Sequence, residues 1–173
     1  KKILSLYDMA LKVGAPVIGF IDCGGVRLQE SFDALESLGA VIERAADVKG
    51  VIPQLICVAG QCGGGLSVLP AIADFTFMVD GASLFVNSPD TITGNDKDTS
   101  SAKFQFEEAG TVDMYGSLEE VVASMRQVIS MIPNDIVEAT DDLNRASEGL
   151  DSKVSDAAAI ATEIADNREF IEL

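Results

Sequence analysis

Two glycine-rich segments carry the residue types and spacing that can do chemistry in this chain. One is CGGVR at residues 23–27, after an apolar run at 15–21, and the other is GQCGGG at 60–65, after an apolar run at 52–59. A helical pattern follows each of them. Glycine lets the backbone approach a ligand, and the first N–H groups of a helix lack partners within it. Two such turns facing each other can polarise one carbonyl oxygen from two sides, as in an oxyanion hole.

The glycines also allow a structural role or a phosphate-binding loop, and the sequence supports these two alternatives unequally. A structural role stays open, because glycine pairs also permit tight turns, although two pairs at equivalent strand ends favour function. A dinucleotide or phosphate loop does not fit, since GxGxxG and Walker spacings are absent. The chain has no histidine, which removes Ser-His and Cys-His catalysis and imidazole as a general base. It also lacks zinc-ribbon spacing, so we expect no bound metal.

Composition narrows the class of protein further. The 173 residues are 47% hydrophobic and 23% charged, which is typical of a globular domain. Acidic residues outnumber basic ones by 28 to 12, and this formal charge of −16 disfavours nucleic acid and anionic membranes as partners. A phosphate-bearing ligand would need a local basic site, and the charge can also serve solubility alone. Three cysteines and no membrane-spanning run lead us to expect a cytoplasmic protein.

The apolar pattern alternates between buried strands and amphipathic helices. Since such alternation implies parallel strands joined by helical crossovers, the sequence predicts an α/β fold. The predicted elements are a helix at 3–13 capped by Gly14, a strand at 16–21, a helix at 28–48, a strand at 53–59, a short helix at 66–73, strands at 75–79 and 83–86, a polar loop at 87–101, a helix at 101–109, a short strand at 111–114, a helix opened by a Ser117/Glu120 capping box and ended by Pro133, and a last helix at 155–165.

Several spaced motifs resemble one enzyme family. GAPVIGFIDCGGVRLQE and GVIPQLICVAGQCGGGLSVLPAIADFTFMV are followed in order by SPDTITG, AGTVD and TDDLNR. Together they look like the amino-terminal half of the carboxyltransferase subunit of biotin-dependent acyl-CoA carboxylases and decarboxylases. The resemblance implies a crotonase-like fold, a spiral of ββα units with a parallel sheet and flanking helices. It also implies carboxyl transfer between biotin and an acyl-CoA such as acetyl-, propionyl-, methylmalonyl- or glutaconyl-CoA.

The resemblance also implies roles for individual residues. Backbone N–H groups of Val26, Gly64 and Gly65 would form the oxyanion hole that holds the thioester enolate. The residues expected on the CoA side are Gly24, Gly25, Gly63, Arg27 and Lys103. Arg27 can instead pair with Glu30, and Lys97 and Lys103 can simply be solvated. The Asp141-Asp142 pair is expected to belong to a structural connector.

Three residues depart from the family pattern. Cys23 and Val26 stand where serine and alanine are usual, and Gln105 stands where a histidine is common. We expect Val26 to narrow the acyl pocket. Cys23 is expected to be a small buried hydrophobic residue, with a reactive thiol as the alternative. The glutamine at position 105 therefore puts in doubt, for this chain, any role that the histidine has in the family.

The resemblance further predicts two parts and several partners. Residues 1–133 would form the acyl-CoA-binding domain, and residues 134–173 a connector leading to a missing carboxyl-terminal domain, so the chain is interpreted as part of a longer enzyme. Expected partners are acyl-CoA, a biotin carboxyl carrier, a biotin carboxylase or decarboxylase subunit and further copies of the chain. One alternative is a crotonase-like hydratase or isomerase with Glu30 as its base. The other is a non-catalytic assembly subunit that docks through faces at 66–79 and 117–132.

Overall fold

A computed structural model describes residues 1–137, 156–165 and 170. The helices are α1 Lys2–Val13, α2 Ser31–Asp47, α3 Val68–Ile72, α4 Ala102–Glu107, α5 Leu118–Met131 and α6 Ala157–Ile164. The strands are β1 Val17–Cys23, β2 Gln54–Gly63, β3 Phe75–Val79, β4 Ser83–Phe85 and β5 Met114–Gly116. Short 3-10 turns occupy Leu28–Glu30, Gly64–Ser67 and Pro89–Thr91.

The strands form one sheet in which every strand pair is parallel. Its order is β1-β2-β3-β5, and β4 pairs with the far end of β2. Parallel pairing requires crossovers, and these contain helices that pack on the two faces of the sheet. The predicted α/β fold with a parallel sheet and flanking helices is therefore confirmed. Because the strands run the same way, the carboxyl ends of β1 and β2 lie at the same edge of the sheet.

Apolar side chains from the strands meet helices on both faces. On one face, β2 and β3 pack against α5, in a cluster formed by Leu55, Cys57, Phe77, Val121, Met125 and Val128. The opposite face holds a second cluster around Ile56, Val58 and Met78, against which Leu66 and Leu69 pack. The faces at 66–79 and 117–132 thus supply buried core residues.

The chain divides into two compact units, Lys1–Ala139 and Thr140–Leu173. The first contains the whole sheet. In the second, the described helix is α6, whose amino terminus is capped by the Asp156 carboxylate accepting from the Ala159 N–H at 3.0 Å. The predicted boundary at 133/134 stays a prediction, and Asp141-Asp142 lies outside the described residues. No helix among the described residues has the length and apolarity needed to cross a bilayer.

Two predicted strands differ most from the structure in their bounds. Strand β2 continues through the glycines to Gly63, so the second turn begins only at Gly64. The strand expected at 111–114 instead covers Met114–Gly116, where it pairs with the end of β3. Pairing with neighbouring strands determines where these two strands begin and end. Local residue preferences do not indicate that pairing.

The capping box at the start of α5 is present as predicted. The Ser117 hydroxyl accepts from the Glu120 N–H at 3.3 Å, and the Glu120 carboxylate accepts from the Ser117 N–H at 2.8 Å and from its hydroxyl at 2.7 Å. These bonds to Ser117 lower the pKa of Glu120 because they stabilise its ionised form. The stabilisation is therefore present above the pKa of the unfolded carboxyl and is lost as pH falls through the folded value.

We expect Ser117→Ala to lower the free energy of unfolding by about 1 kcal/mol at pH 7, the usual cost of losing a helix cap. The deficit should shrink in acid. There Glu120 becomes protonated, so the wild-type protein itself loses the stabilisation that Ser117 gives to the ionised carboxylate. Urea unfolding at pH 7 and at about pH 3.5 measures both values. Ser130→Ala is the control, since Ser130 lies on the same helix and its hydroxyl donates to the Gln127 carbonyl. Equal deficits at both pH values would contradict this account.

Candidate active site

The pairing of β1 with β2 brings the two glycine turns together. Residues of β1 and β2 pair in regular register as far as Ile21, which lies opposite Val58. After a register shift, pairing resumes with Cys23 opposite Cys62. The longer stretch of β2 between these pairs bulges around Asp22, whose carboxylate accepts from the Gln61 N–H at 3.0 Å. Both strands then end side by side, as the sequence predicts for two turns that face each other.

The backbone of the first turn approaches the backbone of the second closely. A Cβ added at Gly63 would lie 2.6 Å from the carbonyl oxygen of Gly24 and 2.8 Å from the Phe85 ring. Gly25 has a φ of 135°, and a Cβ there would contact the Gly63 carbonyl oxygen at 3.7 Å. Only glycine at position 63 leaves room for this approach.

The second turn leaves the sheet at Gly64. Gly64 has a φ of 63° and begins the 3-10 turn, which the Ser67 hydroxyl closes by donating to the Gly64 carbonyl at 2.8 Å. A Cβ at Gly64 would meet nothing within 4 Å, so this residue borders open space. A Cβ at Gly65 would lie 3.2 Å from the Leu38 side chain. The opening N–H groups of such a turn have no acceptor within the turn itself.

A cavity of about 550 Å³ lies beside the first turn. Gly25, Val26 and Arg27 line it, together with Leu66, the residue that follows the second glycine turn. Its apolar wall comes from α2 and α3 and the turn before α3, namely Ala34, Leu38, Val41, Leu66 and Leu69. The structure therefore brings Gly24 and Gly25 against Gly63 and places Gly25 and Val26 on the lining of one cavity, whereas Gly64 and Gly65 do not line it.

Charged side chains border the same cavity. Lys1, Lys2 and Arg27 supply three positive charges there, against the single carboxylate of Glu30. Arg27 Nη1 lies 3.6 Å from Glu30 Oε1, and the two side chains are 82% and 57% exposed. The ion pair expected from the sequence is thus present, yet the exposed guanidinium can still reach an anion. The cavity is locally basic in a strongly acidic chain.

The lysines of the polar loop lie elsewhere. Lys103 lines a separate cavity along α4, and its Nζ is 3.9 Å from the Glu107 carboxylate. Lys97 Nζ lies 2.8 Å from Glu108 and 5.9 Å from the centre of the Phe104 ring. The structure therefore does not bring Lys103 to the cavity of the glycine turns, although the sequence analysis grouped it with them.

The expectation that Cys23 is buried is wrong. Cys23 is exposed, lines the cavity and donates its S–H to the Gly25 carbonyl at 3.2 Å. It is the last residue of β1, the strand at one edge of the sheet. Cys57 and Cys62 are fully buried, and burial raises the pKa of each thiol to about 11.

Gln105 has a structural role at the position where the family pattern has a histidine. Its amide nitrogen donates to the Thr99 carbonyl at 2.7 Å and to the Leu84 carbonyl at 3.3 Å, and its amide oxygen accepts from the Thr111 hydroxyl. These bonds tie α4 to β4 and to the end of the polar loop. Gln105 contacts no residue of the glycine turns through them.

A second cavity of about 420 Å³ lies beside β4 and the polar loop. Its polar lining includes Gln61, Asp90, Asp96, Lys97 and Asp98. Within residues 1–137, 156–165 and 170, no three His, Cys, Asp or Glu side chains are grouped so that they could hold a metal ion.

Sequence reasoning missed four residues that shape the site. Asp22 fills the β2 bulge, Leu38 contacts the second glycine turn, and Lys1 and Lys2 border the cavity. Leu38 and the lysines come from distant parts of the chain, so no local motif marks them. The acidic side chain of Asp22, directly before CGGVR, was a visible signal.

Comparison with known proteins gives one consistent result. The family that matches is the carboxyl transferase domain, over residues 1–173. Methylmalonyl-CoA decarboxylase subunit alpha of Propionigenium modestum is 34% identical, over 99% of this chain and 37% of that protein. The carboxyltransferase subunit of propionyl-CoA carboxylase from Haloferax mediterranei is 33% identical, over 90% of this chain and 33% of that protein.

Solved structures agree with the sequence relatives. Transcarboxylase 12S, crystallised with hydrolysed methylmalonyl-CoA, matches with a TM-score of 0.76 and 29% identity, over 83% of this chain and 30% of that one. A second 12S structure superposes with a TM-score of 0.83 over 98% of this chain at 24% identity, which supports the fold. The chain spans about a third of the length of the relatives above. With the sheet, the paired glycine turns and a family match over its entire sequence, the chain belongs to the carboxyl transferase domain family.

Proposed function

We propose that this chain is the acyl-CoA-binding part of a biotin-dependent carboxyltransferase. The full enzyme would move a carboxyl group between biotin and an acyl-CoA of the propionyl or methylmalonyl type. The observation that carries the proposal is the meeting of the two glycine turns at Cys23 and Cys62, with Gly64 bordering open space. The relatives named above act, by their names, on propionyl-CoA and methylmalonyl-CoA.

The backbone N–H groups of Val26, Gly64 and Gly65 would hold the thioester oxygen. Loss or gain of a carboxyl group beside a thioester passes through an enolate, whose oxygen carries developing negative charge. Preorganised N–H donors stabilise such an oxygen without proton transfer by a histidine. A chain with no histidine is compatible with this mechanism. Gly24, Gly25 and Gly63 would keep the two turns close enough to share one ligand.

The rest of the cavity suits the two ends of an acyl-CoA. Its apolar wall of leucines and Val41 can receive a short acyl chain, and Val26 would narrow the entrance to it. Lys1, Lys2 and Arg27 can attract the phosphates of CoA, which answers the requirement for a local basic site in an acidic protein. The proposal keeps Arg27 on the CoA side and leaves Lys103 out.

Biotin and further subunits belong to the proposal as partners. A biotin carboxyl carrier would deliver or remove the carboxyl group, and a biotin carboxylase or decarboxylase subunit would act on the carrier. The remaining two thirds of the enzyme's length would supply the biotin side of the site. Copies of the chain would associate into an oligomer. The transcarboxylase 12S structure shows a hexamer assembly and substrate binding to a multienzyme core.

A crotonase-like hydratase or isomerase is the second candidate, because one carboxylate does border the cavity. Glu30 lines it and pairs with Arg27 at 3.6 Å. The assembly-subunit alternative is weaker, since the faces it would use are buried within the chain.

Gly64→Ala should lower kcat/KM for carboxyl transfer by about 100-fold or more in the full enzyme. That is the usual effect of disturbing one oxyanion donor, and the added Cβ enters open space beside it. Gly110→Ala is a matched control. Gly110 has a φ of 64° against 63° for Gly64 and equally open surroundings, so both variants carry the same backbone strain of about 1 kcal/mol. If both variants had the same kcat/KM, Gly64 would not be part of the active site.

Arg27→Gln should weaken propionyl-CoA binding about two- to fivefold, the range of an exposed ion pair. The difference should fade at high ionic strength because salt screens exposed charges. Calorimetric titration with propionyl-CoA, methylmalonyl-CoA and free CoA measures it. Lys103→Gln is the control, as it removes an equivalent surface charge from a separate cavity. A larger loss in Lys103→Gln than in Arg27→Gln would reverse the assignment.

Glu30→Gln discriminates the two candidate functions. Under the carboxyltransferase proposal, kcat for carboxyl transfer changes less than about threefold, because Glu30 contributes only an exposed ion pair. A hydratase or isomerase would lose about 100-fold or more without its general base. Steady-state assays with propionyl-CoA for carboxyl transfer and crotonyl-CoA for hydration distinguish these outcomes. Hydration that depends on Glu30 would establish the second candidate.

A further inference from the structure

The geometry points to Cys23 and Cys62 as an oxidisable pair that forms an intramolecular disulfide across the two glycine turns when the protein meets a hydroperoxide.

The first observation is strand register. Cys23 and Cys62 are direct partners on neighbouring parallel strands. Adjacent strands are about 4.8 Å apart. Disulfides join residues whose Cα atoms are about 4.4–6.8 Å apart. The backbone therefore holds the two cysteines within bonding range before any oxidation occurs.

The second observation is that both thiols lie on the same side of the sheet. Cys23 lines the cavity that Leu66 and Leu69 also line. Cys62 belongs to the core cluster against which the same two leucines pack. Proximity to Cys23 also contributes to the raised pKa of Cys62, after the larger effect of burial. Cys57 differs, since it lies in the cluster beneath α5 on the opposite face of β2.

Unequal exposure sets the order of the two steps. Cys23 is exposed, whereas Cys62 is fully buried. The Cys23 sulfur attacks hydrogen peroxide, so the O–O bond breaks, an S–O bond forms and one water is released. The Cys62 sulfur then attacks the sulfenic sulfur of Cys23, an S–S bond replaces the S–O bond, and a second water leaves. Two thiols lose two electrons, and one peroxide becomes two waters.

The cross-link would withdraw the Cys23 S–H from the Gly25 carbonyl, to which it donates at 3.2 Å. It would also tie the ends of β1 and β2 at the point where the glycine turns begin. Reversible loss of acyl-CoA binding would follow, a consequence that rests on the proposed function. The cross-link itself requires no acyl-CoA, so it can be measured separately.

The test treats the full protein with hydrogen peroxide, removes the peroxide with catalase, and then unfolds and alkylates the chain. Of the three thiols within residues 1–173, two should resist alkylation and return after reduction. A tryptic peptide containing Cys23 should be joined to the peptide from residues 50–97, and the protein should remain uncrosslinked between chains. Because Cys57 and Cys62 share that second peptide, variants are needed to assign the bond.

Cys57→Ser is the matched control, because Cys57 is as buried as Cys62 and its thiol has the same raised pKa of about 11. It should retain the cross-link, whereas Cys62→Ser should abolish it and leave Cys23 oxidised to the sulfinic acid. Any of three results would overturn the inference. These are a cross-link that survives in Cys62→Ser, disulfides only between chains, or wild-type Cys23 that becomes sulfinic acid while Cys62 stays alkylatable.

Discussion

The close backbone contact between Gly24 and Gly63 is the constraint on which the candidate site depends. A side chain at Gly63 would lie 2.6 Å from the Gly24 carbonyl oxygen, closer than packed atoms tolerate. Parallel pairing of β1 with β2 produces this contact, and the bulge around Asp22 adjusts the register so that both strands end together. The sheet therefore positions the two glycine turns through main-chain pairing, together with the Asp22 carboxylate at the bulge.

Charge is distributed so that the site differs from the rest of the molecule. The chain has a formal charge of −16, which would repel an anionic ligand from most of its surface. Around the cavity the balance reverses, because Lys1, Lys2 and Arg27 face a single glutamate. An acidic surface favours solubility, and a small basic border can still attract phosphates at short range. Both interpretations of the charge in the sequence are thus compatible.

Local sequence patterns predict the elements well where burial and capping determine them. The apolar runs of β1 and β3, the Gly14 cap and the Ser117 capping box all lie where the residues indicate. The end of β2 was not predictable in this way, because glycine has low strand preference and pairing with β1 and β4 keeps residues 60–63 extended. Tertiary pairing overrides residue preference there.

In the candidate site too, some features follow from local sequence and others depend on residues that are distant in the chain. Glycine spacing predicts the turns and their meeting, since strand ends in a parallel sheet lie at one edge. The wall contributed by Leu38 and the border contributed by Lys1 depend on how helices pack, which no motif records. Cys23 resembles a buried residue by type alone, yet its place at the end of β1 leaves it exposed. Gln105 holds its loop through contacts with residues as far away as Leu84.

A site made from main-chain donors, as proposed here, would have a particular tolerance to sequence change. An N–H group is present at every residue except proline, so Val26 can replace a smaller residue and still donate. Its side chain then alters the width of the cavity without removing the donor. Glycine at position 63 has no such freedom, because the approach of Gly24 leaves no space for a Cβ. Under the proposed function, the side chains that line the cavity could therefore adapt to different acyl groups, while the backbone geometry proposed to stabilise an enolate stays the same.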